Sequence, residues 1–449
     1  MAKLNHITNF KSSFGRYRGL LLFALLLSLT ATAQSTPWTL QQCIDTALVN
    51  NRNVKQQALT KKNKDIAYEQ ARKNLLPDLN ASASHNLGWG RALSDNNTYL
   101  NSTALTQRTN FSISSNLTLF DGLKMKYNID ARMADLKASE ADVEKIKQDI
   151  ILSVSSAYLQ VLLNKELLQV ASDQLVLTNL KIEQRKLMVE NGKMAEGEMY
   201  ELQAQASKEE LNRIQSENTL KLSLLDLAQI LELNDYSKLD IVVPENLIQS
   251  ELQLLNPENV YSSALTHRPE IISAQYQLQS FEKNVYISKS GYYPQLSLGA
   301  SLGSSYYNQQ GITNKPFGEQ ISDKVGAGIG LNLNIPIFNK FETRNQVRTS
   351  EINVENSKIN LESKKIELRK SIQQAYYNAV AAKTKWDAAQ KSEVASREAY
   401  RFVNQKYENG RATAYELFQA KSNLTQVLSE VSQGKYEYVF RIKILELLK

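Results

Sequence analysis

The chain has 449 residues, of which 42 % are apolar, and a formal net charge of +7 at pH 7. This length would allow roughly two or three ordinary domains, so composition does not choose between fold classes. The charge does not indicate a nucleic-acid-binding protein, because residues 1–33 carry four positive charges and no acidic residue, and a formal +3 remains without them. We expect no nucleic-acid partner.

Residues 1–33 have the pattern of a cleaved secretory signal peptide. A basic start is followed by the apolar run LLLFALLLSL, Leu20–Leu29, and by the small residues that end at Ala33. The run is shorter than the roughly 20 apolar residues of a membrane-spanning helix, which favours a leader over a retained anchor. No other segment resembles a transmembrane helix, so contact with a membrane would require β-structure or a surface.

The chain contains an internal repeat. Pro77 and Pro294 are paired at an offset of 217 residues, and later pairs keep an offset of 218. These pairs are Phe120 with Phe338, Tyr158 with Tyr376, and Asn191-Gly192 with Asn409-Gly410. A constant offset leaves no room for loop variation, so the shared stretch is expected to be regular structure. We predict two repeats, residues 34–232 and 256–449, joined by a linker over 233–255.

Within each repeat we expect a helix, two strands, a very long helix, a turn and a helix. The strands are predicted at about 78–90, 109–120, 295–307 and 325–338, from period-two patterns. The clearest is VGAGIGLNLNIPIF, in which apolar residues alternate with glycine, asparagine and proline. A porin-like strand, apolar toward lipid and small or polar toward a lumen, explains this pattern better than a soluble sandwich does.

Four strands are too few to close a barrel, which needs about eight. Because open strand edges are not tolerated in lipid, several chains must share one barrel. The polar segments RALSDNNTYLNSTALTQRT and NQQGITNKPFGEQISDK join the strands and should face outside.

The long helix of the first repeat is predicted from the absence of proline and of a further glycine between Gly122 and Glu190. About 70 helical residues make a rod of about 100 Å. Apolar residues recur every seventh position, which indicates a coiled coil: Val154, Val161, Leu168, Leu175, Ile182 and Val189. In the second repeat one of the six equivalent positions, Glu393, breaks the stripe. Each Asn-Gly pair is expected to end a rod and to form the tip of a helical hairpin.

These residues resemble the TolC-like outer-membrane efflux protein family. The resemblance rests on WTLQQCIDTALVNN near the start, HRPEI at His267–Ile271, the paired prolines, and YENGRATAYELFQAKSNL at the second turn. It implies a mainly helical fold in which a trimeric, twelve-stranded outer-membrane β-barrel continues as a periplasmic coiled-coil tunnel. It also implies a homotrimer in outer-membrane lipid of a Gram-negative cell, with a periplasmic adaptor linking the tips to an inner-membrane RND or ABC transporter.

Similar proteins close the periplasmic end with acidic residues three apart, just after the second turn. Aligned on Gly410, these positions hold Glu416 and Gln419, and their repeat partners are Glu198 and Glu201. All four are gate candidates, although Gln419 departs from the acidic pattern. The alternative for Glu416 is a solvated charge on a helix face. For Glu198 and Glu201 a solvated role, or stabilisation of the helix N-terminus, is favoured.

The turn residues themselves form a candidate docking surface for the adaptor: Asn191, Gly192, Asn409, Gly410 and Arg411. They also make the turns, and the two roles are compatible.

The expected function is therefore the exit duct of a tripartite efflux or type I secretion system, and the sequence does not separate multidrug efflux from polypeptide secretion. An enzyme is not expected, since there are three histidines and one cysteine and no Gly-rich phosphate loop between a strand and a helix. We expect no cofactor and no metal. The remaining alternative, a membrane-anchored structural coiled coil of the envelope, predicts one block of strands at one terminus and not two internal pairs.

Overall fold

The computed structural model describes residues 37–90, 104–192, 195–235, 239–244, 256–311 and 313–449. The expected signal peptide and much of the predicted linker lie outside these residues.

Among the described residues, both repeats have the same order of elements, apart from one additional short helix in the second. The first comprises α1 (Leu40–Asn50), α2 (Arg52–Lys73), β1 (Asn80–Gly90), β2 (Ala104–Phe120), α3 (Lys124–Glu190) and α4 (Glu196–Ile230). The second comprises α5 (Pro257–His267), α6 (Pro269–Lys289), β3 (Gln295–Gln309), α7 (Phe317–Asp323), β4 (Gly326–Asn334), α8 (Glu342–Glu408) and α9 (Ala414–Leu448). Within the described residues, no helix has the length and apolarity to cross a membrane.

Four details differ from the expected elements, and the first is that β2 begins at Ala104 and not near residue 109. The helix that precedes each strand pair is split in two, because Asn51 caps a new helix in the first repeat and Pro269 starts one in the second. The short helix α7 lies in the polar segment expected to join β3 and β4, for which no helix was predicted. Strand β4 ends at Asn334, two residues before Pro336, which has no N–H to donate to a ladder.

The four strands form one antiparallel sheet in the order β1-β2-β3-β4, so β2 and β3 join the repeats. One face of this sheet is apolar: Leu298 lies between Leu117 and Leu331. The opposite face, called the polar face below, carries serine, asparagine and glycine, and on it the hydroxyls of Ser82 and Ser112 are 2.7 Å apart. The alternation predicted from sequence is therefore present as a two-faced sheet.

Helices α2, α3, α6 and α8 adjoin the strands at one end of the sheet, whereas β1 ends, β2 begins, β3 ends and β4 begins at the other end, beside α7. Helices α3 and α8 have 67 residues each, which corresponds to about 100 Å. In the half near the sheet, α3 and α6 pack between α2 and α8; in the far half, α3 and α9 pack between α4 and α8. Each half is thus a row of four helices with two outer members.

The largest core cluster lies where the two halves meet, around Val154 and Tyr158 of α3. Cys43 of α1 is fully buried in it, and burial raises the pKa of its thiol to about 11. Trp38 and Ile241 form a parallel bridge beside this cluster, and the Tyr158 hydroxyl donates to the Val242 carbonyl at 2.7 Å. The start of the described chain and the linker are thus tied to the middle of α3.

Coiled-coil packing continues along α3. Val154 and Val161 are fully buried, as the predicted stripe requires. Nearer the turn this stripe is half-buried, and the most buried residues lie on a second seven-residue line: Asn164, Ala171, Thr178 and Arg185. The two lines are the two core positions of one heptad, and a search for apolar residues finds only the first.

The strand-to-helix joints of both repeats have the same backbone geometry. Gly122 and Leu123 have φ of 69° and 66°, and their repeat partners Lys340 and Phe341 have φ of 55° and 64°. Two successive left-handed residues turn the chain from the sheet into the long helix. This conformation is unfavourable for side chains other than glycine, so three of the four residues adopt it against their own preference.

Candidate functional site

The far ends of the helical hairpins, which we call the tips, are two turns of the same construction. Gly192 and Gly410 have φ of 67° and 68°, the left-handed conformation that ends a helix. The amide of Asn191 donates to the Leu187 carbonyl at 2.6 Å, and that of Asn409 donates to the Gln405 carbonyl at 2.7 Å. An added Cβ at either glycine would meet nothing within 4 Å, so glycine is required by backbone conformation and not by crowding.

The helices that follow the turns start differently. Thr413 caps α9 in a capping box: its hydroxyl accepts from the Glu416 N–H at 3.2 Å, and the Glu416 carboxylate accepts from the Thr413 N–H at 2.8 Å. This backbone hydrogen bond lowers the pKa of the exposed Glu416 carboxyl. The repeat partner of Thr413 is Ala195, which has no side-chain cap. The carboxylate of Glu198, the partner of Glu416, is therefore not used for capping.

Glu198 instead contacts the other repeat. The Tyr407 hydroxyl donates to its carboxylate at 3.3 Å, and the Arg185 guanidinium lies 4.6 Å from the centre of the Tyr407 ring. Tyr407 and Arg185 are both buried, and burial raises the pKa of the Tyr407 phenol. We call Arg185, Tyr407 and Glu198 the tip contact, because these residues join α3, α8 and α4 directly behind the turns.

A second polar cluster lies deeper in the same hairpins. The Lys421 ammonium of α9 donates to the Glu209 carboxylate and to the Gln174 carbonyl, both at 2.9 Å, and to the Thr178 hydroxyl. The side chains of Lys421 and Glu209 are 7 % and 11 % exposed. Burial lowers the pKa of Lys421, and the bond to Glu209 opposes that shift. All three ammonium hydrogens are satisfied, so this buried clamp is fully hydrogen-bonded.

Lys181 connects the two clusters. Its ammonium, between α3 and α8, donates to the side chains of Asn404 and Tyr400. Burial lowers its pKa to about 8, and the charge of Lys421 acts in the same direction.

A groove of about 590 Å³ runs beside the buried clamp on the surface between α3, α4 and α9. Its lining includes Glu209 and Lys421 of the buried clamp, together with Tyr415, Phe418 and Gln419 of α9. Tyr415 is 75 % exposed.

The structure brings some of the predicted site residues together. Glu198 is part of the tip contact. Glu416 instead accepts a hydrogen bond from the backbone at the start of its own helix, α9. The Gln419 side chain donates to the Asn423 side chain at 3.3 Å, and Glu201 is exposed on α4. The five candidate docking residues are all exposed at the two turns: Asn191, Gly192, Asn409, Gly410 and Arg411. Among the described residues, no group of three or more His, Cys, Asp or Glu is placed to hold a metal ion.

Four residues of these clusters were not predicted from the sequence as site residues: Arg185, Lys181, Glu209 and Lys421. A signal for Lys421 is present, because it follows Leu417 by four residues and precedes Leu424 by three, on a face that is otherwise buried. A lysine on such a face requires a partner. The partner itself, Glu209, has no local signal.

Comparison with known proteins gives consistent matches along the chain. The family model described as "Outer membrane efflux protein" matches residues 43–232 and 260–441. The chain is 22 % identical over 386 residues to outer membrane protein TolC of Vibrio cholerae serotype O1, which covers 84 % of each protein. It is 21 % identical over 412 residues to "Toxin and drug export protein A" of Aggregatibacter actinomycetemcomitans, which covers 89 % of this chain and 83 % of that protein.

The fold is also found in solved structures. The CmeC outer membrane channel of Campylobacter jejuni matches with a TM-score of 0.77 and 19 % identity, covering 91 % of this chain and 85 % of that chain. The family resemblance and the mainly helical, two-repeat fold predicted from sequence are confirmed. The chain belongs to the outer membrane efflux protein family and is an outer-membrane efflux channel of the tripartite efflux and secretion systems, a transporter with a periplasmic extension and not an enzyme.

Proposed function

We propose that three copies of the chain form one duct, in which a shared twelve-stranded barrel crosses the outer membrane and the helices continue it through the periplasm. The apolar face of the sheet contacts outer-membrane lipid, and the polar face lines the lumen. Strands β1 and β4 are the outer members of the sheet. An unpaired strand edge in lipid is costly, which supports pairing of β1 with β4 of the next copy.

The outer helices support the same arrangement. In the half near the sheet, the outer members α2 and α8 expose apolar side chains at seven-residue spacing. These are Leu59 and Ile66 on α2, 63 % and 56 % exposed, and Ile352, Ile359 and Ile366 on α8, 61 %, 65 % and 69 % exposed. Two heptad stripes at opposite ends of one row of helices can cover each other between copies.

The assembly is tested by the substitution Ile359→Glu, with Asn360→Glu as the matched control. Asn360 is exposed next to the stripe, so the same charge is added outside the contact. Native mass spectrometry of the detergent-solubilised protein should give trimers for the wild type and the control, and monomers for Ile359→Glu. A trimeric Ile359→Glu variant would contradict this packing.

We propose that the tips close the periplasmic end of the duct. Because the tip contact joins α8 to α3 and α4, movement of α8 and α9 away from the first hairpin must break it. The buried clamp lies farther from the turns and holds the hairpins together beyond that point. Glu416, Gln419 and Glu201 remain candidates for the constriction itself, since a ring of carboxylates would favour cationic cargo.

We also propose that a periplasmic adaptor binds the tips at Asn191, Gly192, Asn409, Gly410 and Arg411 and links them to an inner-membrane RND or ABC transporter. The exposure of all five residues supports this role. An adaptor that binds the open tips more tightly than the closed ones would open the duct. The inner-membrane transporter selects the cargo, and the name of the Aggregatibacter relative, toxin and drug export, is consistent with a duct that passes both toxins and drugs.

The observation that carries the proposal is a two-faced sheet continuous with helices of about 100 Å that end in two equivalent turns. Conductance of the purified mature trimer in a planar bilayer is the test. A small conductance that rises in Glu416→Ala would support a duct with its gate at the tips. Stable trimers without any conductance would contradict the duct, and an unchanged conductance in the variant would contradict the role of Glu416.

A further inference from the structure

Arg108 of β2 is the single lysine, arginine, aspartate or glutamate on the four described strands. The register pairs Arg108 with Asn86 of β1 and with Tyr307 of β3, and these positions belong to the polar face. The remaining residues of that face are uncharged. A single charge on an otherwise uncharged wall dominates the electrostatic potential near it.

The Arg108 side chain packs against the buried ring of Tyr307. Its guanidinium lies 5.6 Å from the centre of the Tyr307 ring, within the range of a cation–π contact. Tyr307 is 9 % exposed, and its hydroxyl donates to the Gln309 side chain at 2.9 Å. Arg108 itself is exposed. The ring therefore holds the cation at the surface of the wall.

Helix α7 holds the Tyr307 backbone through the side chain of Gln320. Strand β4 pairs with β3 only as far as Gly303, so the β3 backbone beyond this residue lacks β4 as a partner. The Gln320 side chain occupies that edge: its oxygen accepts from the Tyr307 N–H at 3.0 Å, and its amide donates to the Tyr307 carbonyl at 2.9 Å. One side chain thus makes both hydrogen bonds of a ladder partner and fixes Tyr307 in place.

The charge of Arg108 is not cancelled by the connections at this end of the sheet. Residues 91–103 contain one arginine and one aspartate, and residues 310–325 contain two lysines and two acidic residues. Lys315 bridges Glu319 and Asp323 at 2.9 Å and 2.8 Å. Both sequences are formally neutral, and among the described strand residues Arg108 supplies the net charge of the end of the sheet opposite the long helices.

We propose that Arg108 determines charge selectivity at the outer mouth of the duct, where three copies form a ring that concentrates anions and repels cations. The inference rests on the proposed threefold duct. The ring lies at the opposite end from the tips and would oppose any cation preference set there. At about 0.1 M salt, where the screening length is about 10 Å, we expect an effect of about twofold on the cation-to-anion permeability ratio, and a smaller one at about 1 M.

The test is the reversal potential of the purified trimer under a KCl gradient, with low salt on the side of the strand connections. Arg108→Gln should raise the cation-to-anion permeability ratio about twofold, whereas Arg108→Lys should keep the wild-type value because the charge remains. Lys64→Gln is the matched control, since it removes one charge from an exposed position on α2. Inorganic pyrophosphate added on the connection side should reduce the wild-type current more than the Arg108→Gln current.

The outcomes separate the two levels of the proposal. A conducting wild type whose reversal potential is unchanged in Arg108→Gln would overturn the role of Arg108 and leave the duct intact. A wild-type trimer without conductance would overturn the duct and, with it, the ring. A shift in both Arg108→Gln and Arg108→Lys would assign the effect to packing on Tyr307 and overturn the electrostatic role.

Discussion

The Tyr407 hydroxyl donates a hydrogen bond to the Glu198 carboxylate across 3.3 Å, joining the last turn of α8 to the first turn of α4. The two residues come from different repeats and are 209 positions apart in the chain. Ala195 makes this contact possible, because the capping box of the second repeat is absent from the first.

Removal of the Tyr407 hydroxyl should favour the open tips. A hydrogen bond of this kind contributes about 1 kcal/mol, so Tyr407→Phe should shift the equilibrium toward the open state about fivefold per copy. Single-channel recording should show a larger or more frequent open current. Tyr377→Phe, at an exposed position of the same helix, is the control. Equal currents in both variants would show that the contact does not hold the tips closed.

Loss of Lys421 should destabilise the hairpins more than loss of both partners of its ion pair. Lys421→Met leaves the Glu209 carboxylate buried without its cation, and such unpaired charges cost about 3–5 kcal/mol. The double substitution Lys421→Met, Glu209→Leu removes the charge as well and should recover most of that loss. Urea unfolding of the detergent-solubilised protein measures both. A double variant as unstable as the single one would contradict the account.

Stability should rise at alkaline pH because of Lys181. Its pKa is lowered to about 8 in the folded chain from 10.5. Between these values the unfolded chain binds the proton that the folded chain has released, so the free energy of unfolding increases with pH. The difference in unfolding midpoint between wild type and Lys181→Met should therefore move in favour of the wild type from pH 7.5 to pH 9.5. Lys186→Met, at an exposed position of α3, should show no such trend, and a pH-independent difference for Lys181→Met would contradict the prediction.

Substitutions at the equivalent positions Gly122 and Lys340 of the two strand-to-helix joints should change the stability of the fold in opposite directions. Lys340→Gly relieves a left-handed lysine and should stabilise the fold by about 1 kcal/mol. Gly122→Ala should destabilise it by about 1–3 kcal/mol, because the new Cβ would lie 2.8 Å from the Tyr293 Cβ and 2.9 Å from the Ser290 carbonyl. Thermal unfolding of the two variants is the measurement. A less stable Lys340→Gly would indicate that the lysine side chain has contacts that outweigh its backbone strain.

Much of the fold was predictable from the sequence because its signals are local or repeated. The alternation around Ile329 and Leu331 requires only neighbouring residues, and the turns at Gly192 and Gly410 follow from two-residue motifs. Strand β2 begins at Ala104, earlier than predicted, because residues such as Thr106 and Gln107 show no alternation and are held by pairing with both neighbouring strands.

The candidate site was harder to predict from the sequence, because its contacts are not local. Lys421 and Glu209 are 212 positions apart, and Tyr407 and Glu198 are nearly as distant. Neither pair leaves a pattern within a window of one or two helical turns. The offset of 218 relates Glu198 to Glu416, yet one replacement, alanine for threonine at position 195, gives the two carboxylates different partners.

The polar face of the sheet has a consequence for any solute that passes along it. Its hydroxyls, amides and bare glycine backbone, as at Ser82, Asn116 and Gly328, offer donors and acceptors much as liquid water does. Away from Arg108, a molecule that exchanges hydration water for contact with this face gains little and loses little free energy, so the uncharged part of the face neither holds it nor excludes it. Such a surface interacts only weakly with solutes, which suits a channel that must release chemically different molecules.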